Sequence, residues 1–311
     1  MRKRRITIIC LLICISLCAL NGGCAKRNTA TDTTATQKVT TTATTTQATT
    51  KPTTTKAKKK KADKSPLLQY NRLSAKEKEV YNRLDEAIIS YHSYMEEDLT
   101  EFYAEMVDRV YFYALLADKP EYYFVRGNSN LYEKSDSGEQ VARFDFRYIY
   151  DQDQYEAKNA KMERIFLTIK KSLPKKASDF EKAKAVYDYL IGHCEYDYSY
   201  TGNSLNETKT NASYADGALL EKKAVCSGYS RAFKWMMDRF SIPCMCVANS
   251  EHEWNIVKIE GDCYHIDVTW ADVEDNPGDR YFCVTDAEIY QDREKPAYTV
   301  PECTVVYNEA A

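Results

Sequence analysis

The chain has 311 residues, of which 44% are hydrophobic and 29% are charged. This length and composition are those of a globular protein that buries a sizeable core. Its net charge of −3 hides an asymmetry: residues 1–64 carry 14 Lys and Arg against 2 Asp and Glu, leaving 29 of the 43 basic and 44 of the 46 acidic residues for the rest. An acidic body argues against nucleic acid as the partner, because phosphate binding needs clustered Lys and Arg.

Residues 1–24 have the pattern of an export signal. Four basic residues precede an uncharged apolar run from Ile6 to Leu20, which is shorter than the roughly 20 residues of a membrane-spanning helix. The sequence Asn-Gly-Gly-Cys that ends at Cys24 resembles the lipobox of bacterial lipoproteins, although Asn21 stands where that pattern usually has Leu. We expect lipidation of Cys24, with plain cleavage or an uncleaved anchor as alternatives. All three interpretations place the body outside the cytoplasm.

Residues 25–64 are rich in Thr and then in Lys, with almost no apolar side chains. Such a segment buries too little surface to offset its chain entropy, so it is predicted to be a disordered linker. Two roles stay open for it. It is a solvated tether, or Lys56 and Lys58 help it bind an anionic wall polymer or lipid headgroups.

Residues 65–177 are predicted to form a mainly helical region. Ser74 and Glu77 have the spacing of a capping box, and apolar residues at helical spacing follow them. The further elements predicted here are a helix over about 99–117, strand-like stretches within 121–150 and a helix over about 152–172.

Residues 178–311 contain the candidate chemistry. A second capping box, Ser178 and Glu181, opens a helix, and Cys226 is followed by one apolar stripe of another amphipathic helix. That stripe consists of Tyr229, Ala232, Phe233, Met236, Met237 and Phe240. Cys226 is therefore predicted at a helix N-terminus, where the helix dipole and free amides favour the thiolate and can stabilise an oxyanion.

Three strand-like runs follow, over 244–248, 252–259 and 263–270, and Glu260-Gly261 is a hairpin signal between the last two. With that turn as the centre, His252 and Asp267 share one face of the hairpin as diagonal neighbours. A thiol becomes a strong nucleophile when an imidazole accepts its proton and a carboxylate orients the imidazole. Each residue alone has an ordinary structural interpretation, but the combination favours catalysis.

Three blocks resemble the core of the transglutaminase-like superfamily: Ala224–Ser230, His252–Val257 and Tyr264–Trp270. The order and spacing of Cys, His and Asp agree with that family, and the resemblance is strongest over 178–290. It implies an α+β, papain-like fold in which a nucleophile helix packs on an antiparallel sheet. It also implies that Cys226 is the nucleophile, His252 the general base and acid, and Asp267 the orienting carboxylate.

Three aromatic residues are further candidates for the site. Trp254 and Trp270 flank the His and Asp positions, where they shield the His–Asp bond or simply belong to the core. Tyr214 precedes the nucleophile and is a candidate oxyanion donor, with a packed aromatic ring as the preferred alternative.

The remaining cysteines and histidines do not predict a metal or cofactor. Cys244 and Cys246 lack the spacing of a zinc knuckle, and the chain has only four histidines. Six body cysteines besides Cys226 form disulfides or remain free thiols. His265 is the one rival to His252 as the base.

The sequence therefore predicts a surface-anchored, extracytoplasmic enzyme that attacks a carboxamide or peptide carbonyl of a protein or peptide substrate through a thioester. Transfer to an amine, deamidation and hydrolysis all stay open. The alternative is an inactive transglutaminase-like module that acts as a cell-surface binding protein.

Overall fold

The structure is a computed structural model that describes residues 68–97, 101–133, 137, 140–200, 211–273 and 279–308. The predictions for the signal peptide, Cys24, the linker, Lys56 and Lys58 lie outside these ranges. Within them, no helix is long and apolar enough to cross a membrane.

The N-terminal region combines helices with a small antiparallel sheet. Its helices are α1 (Gln69–Arg72), α2 (Ala75–Ile89), α3 (Glu101–Val110) and α4 (Leu116–Asp118), with a π-helical turn at Tyr111–Leu115 between the last two. Its strands are β1 (Tyr94–Glu97), β2 (Val125–Glu133) and β3 (Gln140–Tyr148), in the order β1-β3-β2. The strand-like stretches predicted within 121–150 are therefore confirmed as a hairpin, whereas β1 was not predicted.

Helix starts follow local side-chain chemistry. Ser74 and Glu77 form both hydrogen bonds of a capping box at the start of α2, as predicted. Asp151 and Gln154 do the same for α5 (Gln152–Ser172), and Ser178 and Glu181 for α6 (Asp179–His193). Each box satisfies backbone amides that have no partner inside the helix, so these boundaries are set locally.

The central helix of the C-terminal region is α7 (Cys226–Phe240). Of its predicted apolar stripe, five residues are buried and Phe240 is half-buried. The helix is enclosed around most of its circumference, because Arg231 and Lys234 on its polar side are buried too. Lys234 is paired with Asp238 at 2.9 Å, one helical turn further along. Such enclosure fixes the direction in which the N-terminal residue Cys226 points.

An antiparallel sheet packs against α7. It consists of β6 (Cys244–Ala248), β7 (Glu253–Ile259) and β8 (Asp262–Ile266), in the order β6-β7-β8. Ile259 pairs with Asp262 across the predicted turn, and Glu260 and Gly261 both have positive φ (53° and 105°). Positive φ at both central residues is the geometry that keeps a two-residue hairpin in register. Short β4 (Glu195–Tyr196) and β5 (Lys223–Ala224) pair in parallel just before α7.

The third strand is shorter than the sequence predicted. It ends at Ile266, and Val268–Val273 forms helix α8 instead of continuing to Trp270 as a strand. Asp267 stands at this junction and accepts a hydrogen bond from the Trp270 backbone amide at 3.1 Å, as a helix N-cap does. The cap outweighs the strand preference of the Val-Thr-Trp run.

The two faces of this sheet are covered differently. Cys244, Val257 and Ile259 belong to the main core, which also contains buried residues of the N-terminal region. Trp254 and Ile256 belong to a smaller cluster that includes Cys303 of the C-terminal segment. The last helix of the described chain is α9 (Asp286–Ile289), and the segment after it packs over this second face.

The loop before α7 is held from several sides. Val225 donates its backbone amide to the Ala212 carbonyl at 3.0 Å, and the Arg231 guanidinium donates to the Ser213 carbonyl at 2.9 Å. Arg126, from the N-terminal sheet, donates to the Asn211 side chain at 2.8 Å. The N-terminal region therefore helps to fix the chain that leads into Cys226.

At Gly228 this loop lies close against α7. A Cβ atom added there would lie 2.1 Å from the Ala212 carbonyl oxygen, which is backbone and cannot easily move. We expect Gly228→Ala to lower the free energy of unfolding by about 1–3 kcal/mol or more, measured by urea unfolding. Gly192→Ala in α6 is the matched control, since nothing lies within 4 Å of its added Cβ, and it should raise stability by up to about 1 kcal/mol. Equal effects would contradict the close contact.

Candidate active site

Cys226 is the first residue of α7 and is half-buried. The N-cap residue Val225 provides no side-chain hydrogen bond to the first turn. The positive end of the helix dipole and the N-terminal amides are therefore directed towards the thiol rather than satisfied by a capping side chain. This is the environment that the sequence predicted.

His252 lies immediately before β7 and is positioned by a turn. The Asn249 side-chain oxygen accepts hydrogen bonds from the backbone amides of Glu251 and His252, at 2.9 and 2.8 Å. The His252 carbonyl in turn accepts from the Asn249 amide at 3.0 Å. The backbone that carries the imidazole is thus fixed on both sides.

Asp267 is completely buried, and its carboxylate receives hydrogen bonds from three parts of the chain. The His252 Nε2 atom lies 2.8 Å from Oδ2, and the Arg293 Nη1 atom binds the same oxygen. The Trp270 amide binds Oδ1. The structure therefore brings His252 and Asp267 together, as predicted, and adds an arginine that the sequence did not indicate.

The electrostatics of this cluster follow from its burial and its charges. Burial disfavours charged His252, but the charge and hydrogen bond of Asp267, together with the interaction with Cys226, raise the pKa of His252 to about 9. Burial likewise opposes ionisation of Asp267, but His252 and Arg293 overcome it and lower the pKa of Asp267 to about 2. At neutral pH the site therefore holds an imidazolium and a carboxylate.

The interaction with Cys226 indicates which imidazole nitrogen faces the thiol. Nε2 is engaged by Asp267, so Nδ1 is the nitrogen that remains for the Cys226 side chain. Asp267 thus holds the imidazole at one nitrogen, and Cys226 interacts with the same ring. Their catalytic roles stay predictions.

Both candidate tryptophans contact the imidazole. The Trp254 ring is nearly parallel to the His252 ring, with an interplanar angle of 11° and centroids 5.9 Å apart. The half-buried Trp270 ring is tilted by 42°, at 5.4 Å. Trp254 also belongs to the smaller buried cluster that includes Ile256 and Cys303, so it both packs in the core and covers His252.

Tyr214 has a clear packing role. It is buried, and its ring centroid lies 3.5 Å from the Arg126 guanidinium carbon and 5.5 Å from that of Arg231. Such stacking of arginine on an aromatic ring stabilises a buried cation. The structure thus favours the interpretation of Tyr214 as a packed aromatic ring. Its role as an oxyanion donor stays a prediction.

His265, the rival base, has both ring nitrogens engaged. Nδ1 accepts a hydrogen bond from the Trp254 indole at 3.0 Å, so Nε2 carries the proton and donates to Asp286 at 2.7 Å. Burial lowers the pKa of His265 despite the nearby Asp286 carboxylate. The ring is therefore neutral, and no nitrogen is left for a thiol.

One group of side chains has the types that hold metals. Potential ligand atoms of His265, Asp286 and Cys303 lie within 4.8 Å of one another. The second oxygen of Asp286 accepts from the Cys303 amide at 3.1 Å. Hydrogen bonds thus account for the positions of the histidine and the carboxylate, and we assign no metal to them.

The body cysteines are free thiols in the part of the chain that the structure describes. Cys194, Cys244, Cys246, Cys283 and Cys303 are buried, and Cys263 is half-buried like Cys226. Of the two alternatives that the sequence left open, the structure has the reduced one.

Sequence reasoning missed Arg293 and Asn249. Arg293 follows a short helix in an irregular segment, where no periodicity indicates burial. Asn249 lies three residues before His252, and a side chain of this type often bonds amides two or three residues ahead. The turn at Asn249 could therefore have been predicted from the sequence, whereas the burial of Arg293 could not.

A family model described as the transglutaminase-like superfamily matches residues 168–282. These residues form a transglutaminase-like domain. It contains Cys226, His252 and Asp267 and ends before Arg293. Its helix α7 packed on an antiparallel sheet agrees with the fold expected from the sequence.

Individual relatives are distant. Kyphoscoliosis peptidase of Homo sapiens is 26% identical over 110 residues, which are 30% of this chain and 16% of that protein. The chain thus matches less than a fifth of the length of this curated relative. A crystal structure of a TGase aligns with 56% of this chain and 49% of its own, at 14% identity and a TM-score of 0.32. A provisionally assigned cysteine protease from Cytophaga hutchinsonii aligns with 47% and 63%, at 15% identity and a TM-score of 0.27.

The His252–Asp267 pair links stability to pH in a defined window. The raised pKa of His252 contributes stability that is complete below its unfolded value of 6.5 and is lost as the pH rises through about 9. The lowered pKa of Asp267 contributes stability that is complete above 3.8 and is lost as the pH falls through about 2. Both contributions are complete between these unfolded values.

We expect Asp267→Asn to lower the pKa of His252 from about 9 to below 6.5, because burial then acts without the opposing carboxylate. The measurement is an NMR titration of the imidazole in full-length protein, with the signal assigned by its loss in His252→Gln. Asp286→Asn is the matched control, since Asp286 binds the other buried histidine, and it should leave the pKa of His252 unchanged. An unaltered titration in Asp267→Asn would count against the pairing.

Proposed function

We propose that this protein is a cysteine-dependent acyl-transfer enzyme in which Cys226, His252 and Asp267 form a catalytic triad. One observation carries the proposal: the Cys226 thiol interacts with an imidazole whose other nitrogen is held by a buried, ionised carboxylate. A nucleophile that contacts a base, which is in turn oriented by a third group, is the arrangement that thiol catalysis needs.

The proposed reaction begins with a thiolate and an imidazolium. The Cys226 sulfur attacks the carbonyl carbon of a carboxamide or peptide bond, and the carbonyl oxygen becomes an oxyanion. The His252 imidazolium then donates its proton to the leaving nitrogen, which departs as ammonia or as a peptide amine. A thioester on Cys226 and a neutral imidazole remain.

In the second step an amine or water attacks the thioester. His252 accepts the proton of the attacking group, the carbon–sulfur bond breaks, and the thiolate and imidazolium are restored. An amine gives transamidation, and water gives deamidation or hydrolysis. Asp267 stabilises the imidazolium in both steps without itself changing protonation, in keeping with its low pKa.

The oxyanion has donors available at the start of α7. Backbone amides at a helix N-terminus are pre-oriented towards developing negative charge, and no side chain of Val225 occupies them. Trp254 and Trp270 support catalysis in a second way, because both rings lie beside His252 and limit the access of water to its bond with Asp267. The match to the transglutaminase-like superfamily supports the same chemistry.

We expect full-length protein to incorporate a fluorescent primary amine into a glutamine-bearing acceptor protein, or to release ammonia from that protein. Cys226→Ala should lower this activity at least about a thousandfold, as loss of a triad member does. Incorporation indicates a transglutaminase, and ammonia release without incorporation indicates a deamidase. Cleavage of a peptide library, followed by mass spectrometry, tests for hydrolysis.

The matched control is Cys263→Ala, which removes the other half-buried thiol of the described chain and should leave activity unchanged. Iodoacetamide at pH 6 gives a readout that needs no substrate. Cys226 should be alkylated well before Cys263, because burial raises the pKa of the Cys263 thiol. Equal rates, together with no turnover in any assay, would favour a binding module without catalysis.

We also propose that the enzyme is an extracytoplasmic lipoprotein, anchored through Cys24 and held away from the membrane by residues 25–64. The support is the sequence alone: a basic and then apolar N-terminus, small residues before Cys24, and a Thr- and Lys-rich spacer. Its substrate is then a protein or peptide at the cell surface. Lys56 and Lys58 are available to an anionic wall polymer beside it.

We expect Cys24→Ala to abolish incorporation of labelled fatty acid in a bacterial host and to move the protein from the detergent phase to the aqueous phase in Triton X-114 partitioning. The lipid supplies most of the membrane affinity, which explains the loss. Asn21→Leu is the comparison variant and should be lipidated at least as efficiently. Unchanged partitioning of Cys24→Ala would favour an uncleaved apolar anchor.

A further inference from the structure

Arg293 is buried against the triad from outside the matched domain. Only 2% of its side chain is exposed, and its Nη1 atom binds the Asp267 oxygen that also binds His252. Its Nε atom lies 3.1 Å from Asp292, and its guanidinium carbon lies 4.0 Å from the centroid of the Trp270 ring. Arg293 is thus oriented by a carboxylate on one side and an aromatic ring on another.

Packing alone accounts poorly for this arginine. Its Nη2 atom is buried without a hydrogen-bond partner among the described residues. Leaving a charged donor unsatisfied costs stability, and a buried ion pair is often no more stable than packed apolar side chains. The guanidinium is therefore placed to serve Asp267 at the expense of its own hydrogen bonding.

Resting on the proposed function, we propose that Arg293 is a positioning residue that holds the Asp267 carboxylate in place and limits how tightly His252 retains its proton. Two cations share one carboxylate oxygen, so each receives less of its negative charge. An imidazolium held by Asp267 alone would release its proton to the leaving nitrogen less readily. Arg293 moderates that bond while it keeps Asp267 ionised.

Other charged and titratable groups face this cluster from each element packed on it. Cys226 of α7 and Glu253 of β7 interact with His252. The negative charge of Asp267 interacts with Tyr187 of α6, and the positive charge of Arg293 interacts with Tyr290. The charges of Asp267 and Arg293 both interact with His265 of β8.

Two more groups, from the chain before α9, contact Asp292 beside Arg293. The exposed Arg280 guanidinium and the Tyr281 hydroxyl each lie 3.2 Å from Asp292. Arg280, Asp292, Arg293, Asp267 and His252 thus alternate in charge from the surface to the nucleophile. Arg293 binds Asp267, whereas the exposed Arg280 pairs with Asp292, which makes Arg280 the control of the experiment.

The test is an NMR titration of His252 in full-length protein. Arg293→Met, which removes the charge, should raise the pKa of His252 by roughly one unit, as removal of one nearby cation does. Arg293→Lys should restore a value within about a third of that shift from the wild type. Arg280→Met removes the other cation that pairs with Asp292, and it should leave the titration of His252 unchanged.

Each outcome decides a separate point. A folded Arg293→Met protein with an unshifted His252, an equal shift in Arg280→Met, or a Lys variant as shifted as Met would overturn the inference. If Arg293→Met does not fold, Arg293→Gln carries the same measurement, because it removes the charge and keeps a hydrogen-bond donor. Equal alkylation rates for Cys226 and Cys263 in the wild type would count against the proposed function instead, independently of Arg293.

Discussion

The bond between His252 and Asp267 is the constraint around which the C-terminal region is built. A carboxylate with no exposed surface costs several kcal/mol unless hydrogen bonds and opposite charge compensate it. His252, Arg293 and the Trp270 amide supply that compensation, and they come from the start of β7, the segment after α9 and the first turn of α8. Those three parts of the chain must therefore meet at one carboxylate before the site exists.

The nucleophile depends on an equivalent set of contacts around α7. Cys226 points where α7 directs it, and α7 is enclosed by the sheet, by α6 and α8, and by the loop that contains Ala212. Arg126 links that loop to the N-terminal sheet. The region before the matched domain thus contributes to the geometry of the thiol. The segment after the domain contributes Arg293 in the same way, so the site extends beyond the 168–282 match at both ends.

Predictions from the sequence succeeded where a local interaction decides the outcome. The two predicted capping boxes, the amphipathic stripe of α7 and the Glu260-Gly261 turn each depend on residues close together in the chain, and all four are present. The third strand failed because two local preferences competed. Val268–Trp270 has strand-forming side chains, but the buried Asp267 caps a helix there. The choice between strand and helix depends on the residues that hold Asp267. Arg293 lies far from this segment in sequence, and His252 lies across the hairpin.

The sequence by itself determined the order and spacing of Cys226, His252 and Asp267, the helix that presents the thiol, and the hairpin register that puts the other two side by side. These follow from periods of 3.6 and 2 and from turn chemistry, which act over a few residues. Only the tertiary structure decided that Asp267 shares its oxygen with Arg293, that His265 is committed to Asp286, and that Tyr214 packs on Arg126. Burial and long-range charge pairing decide such contacts, and no local pattern in the chain encodes them.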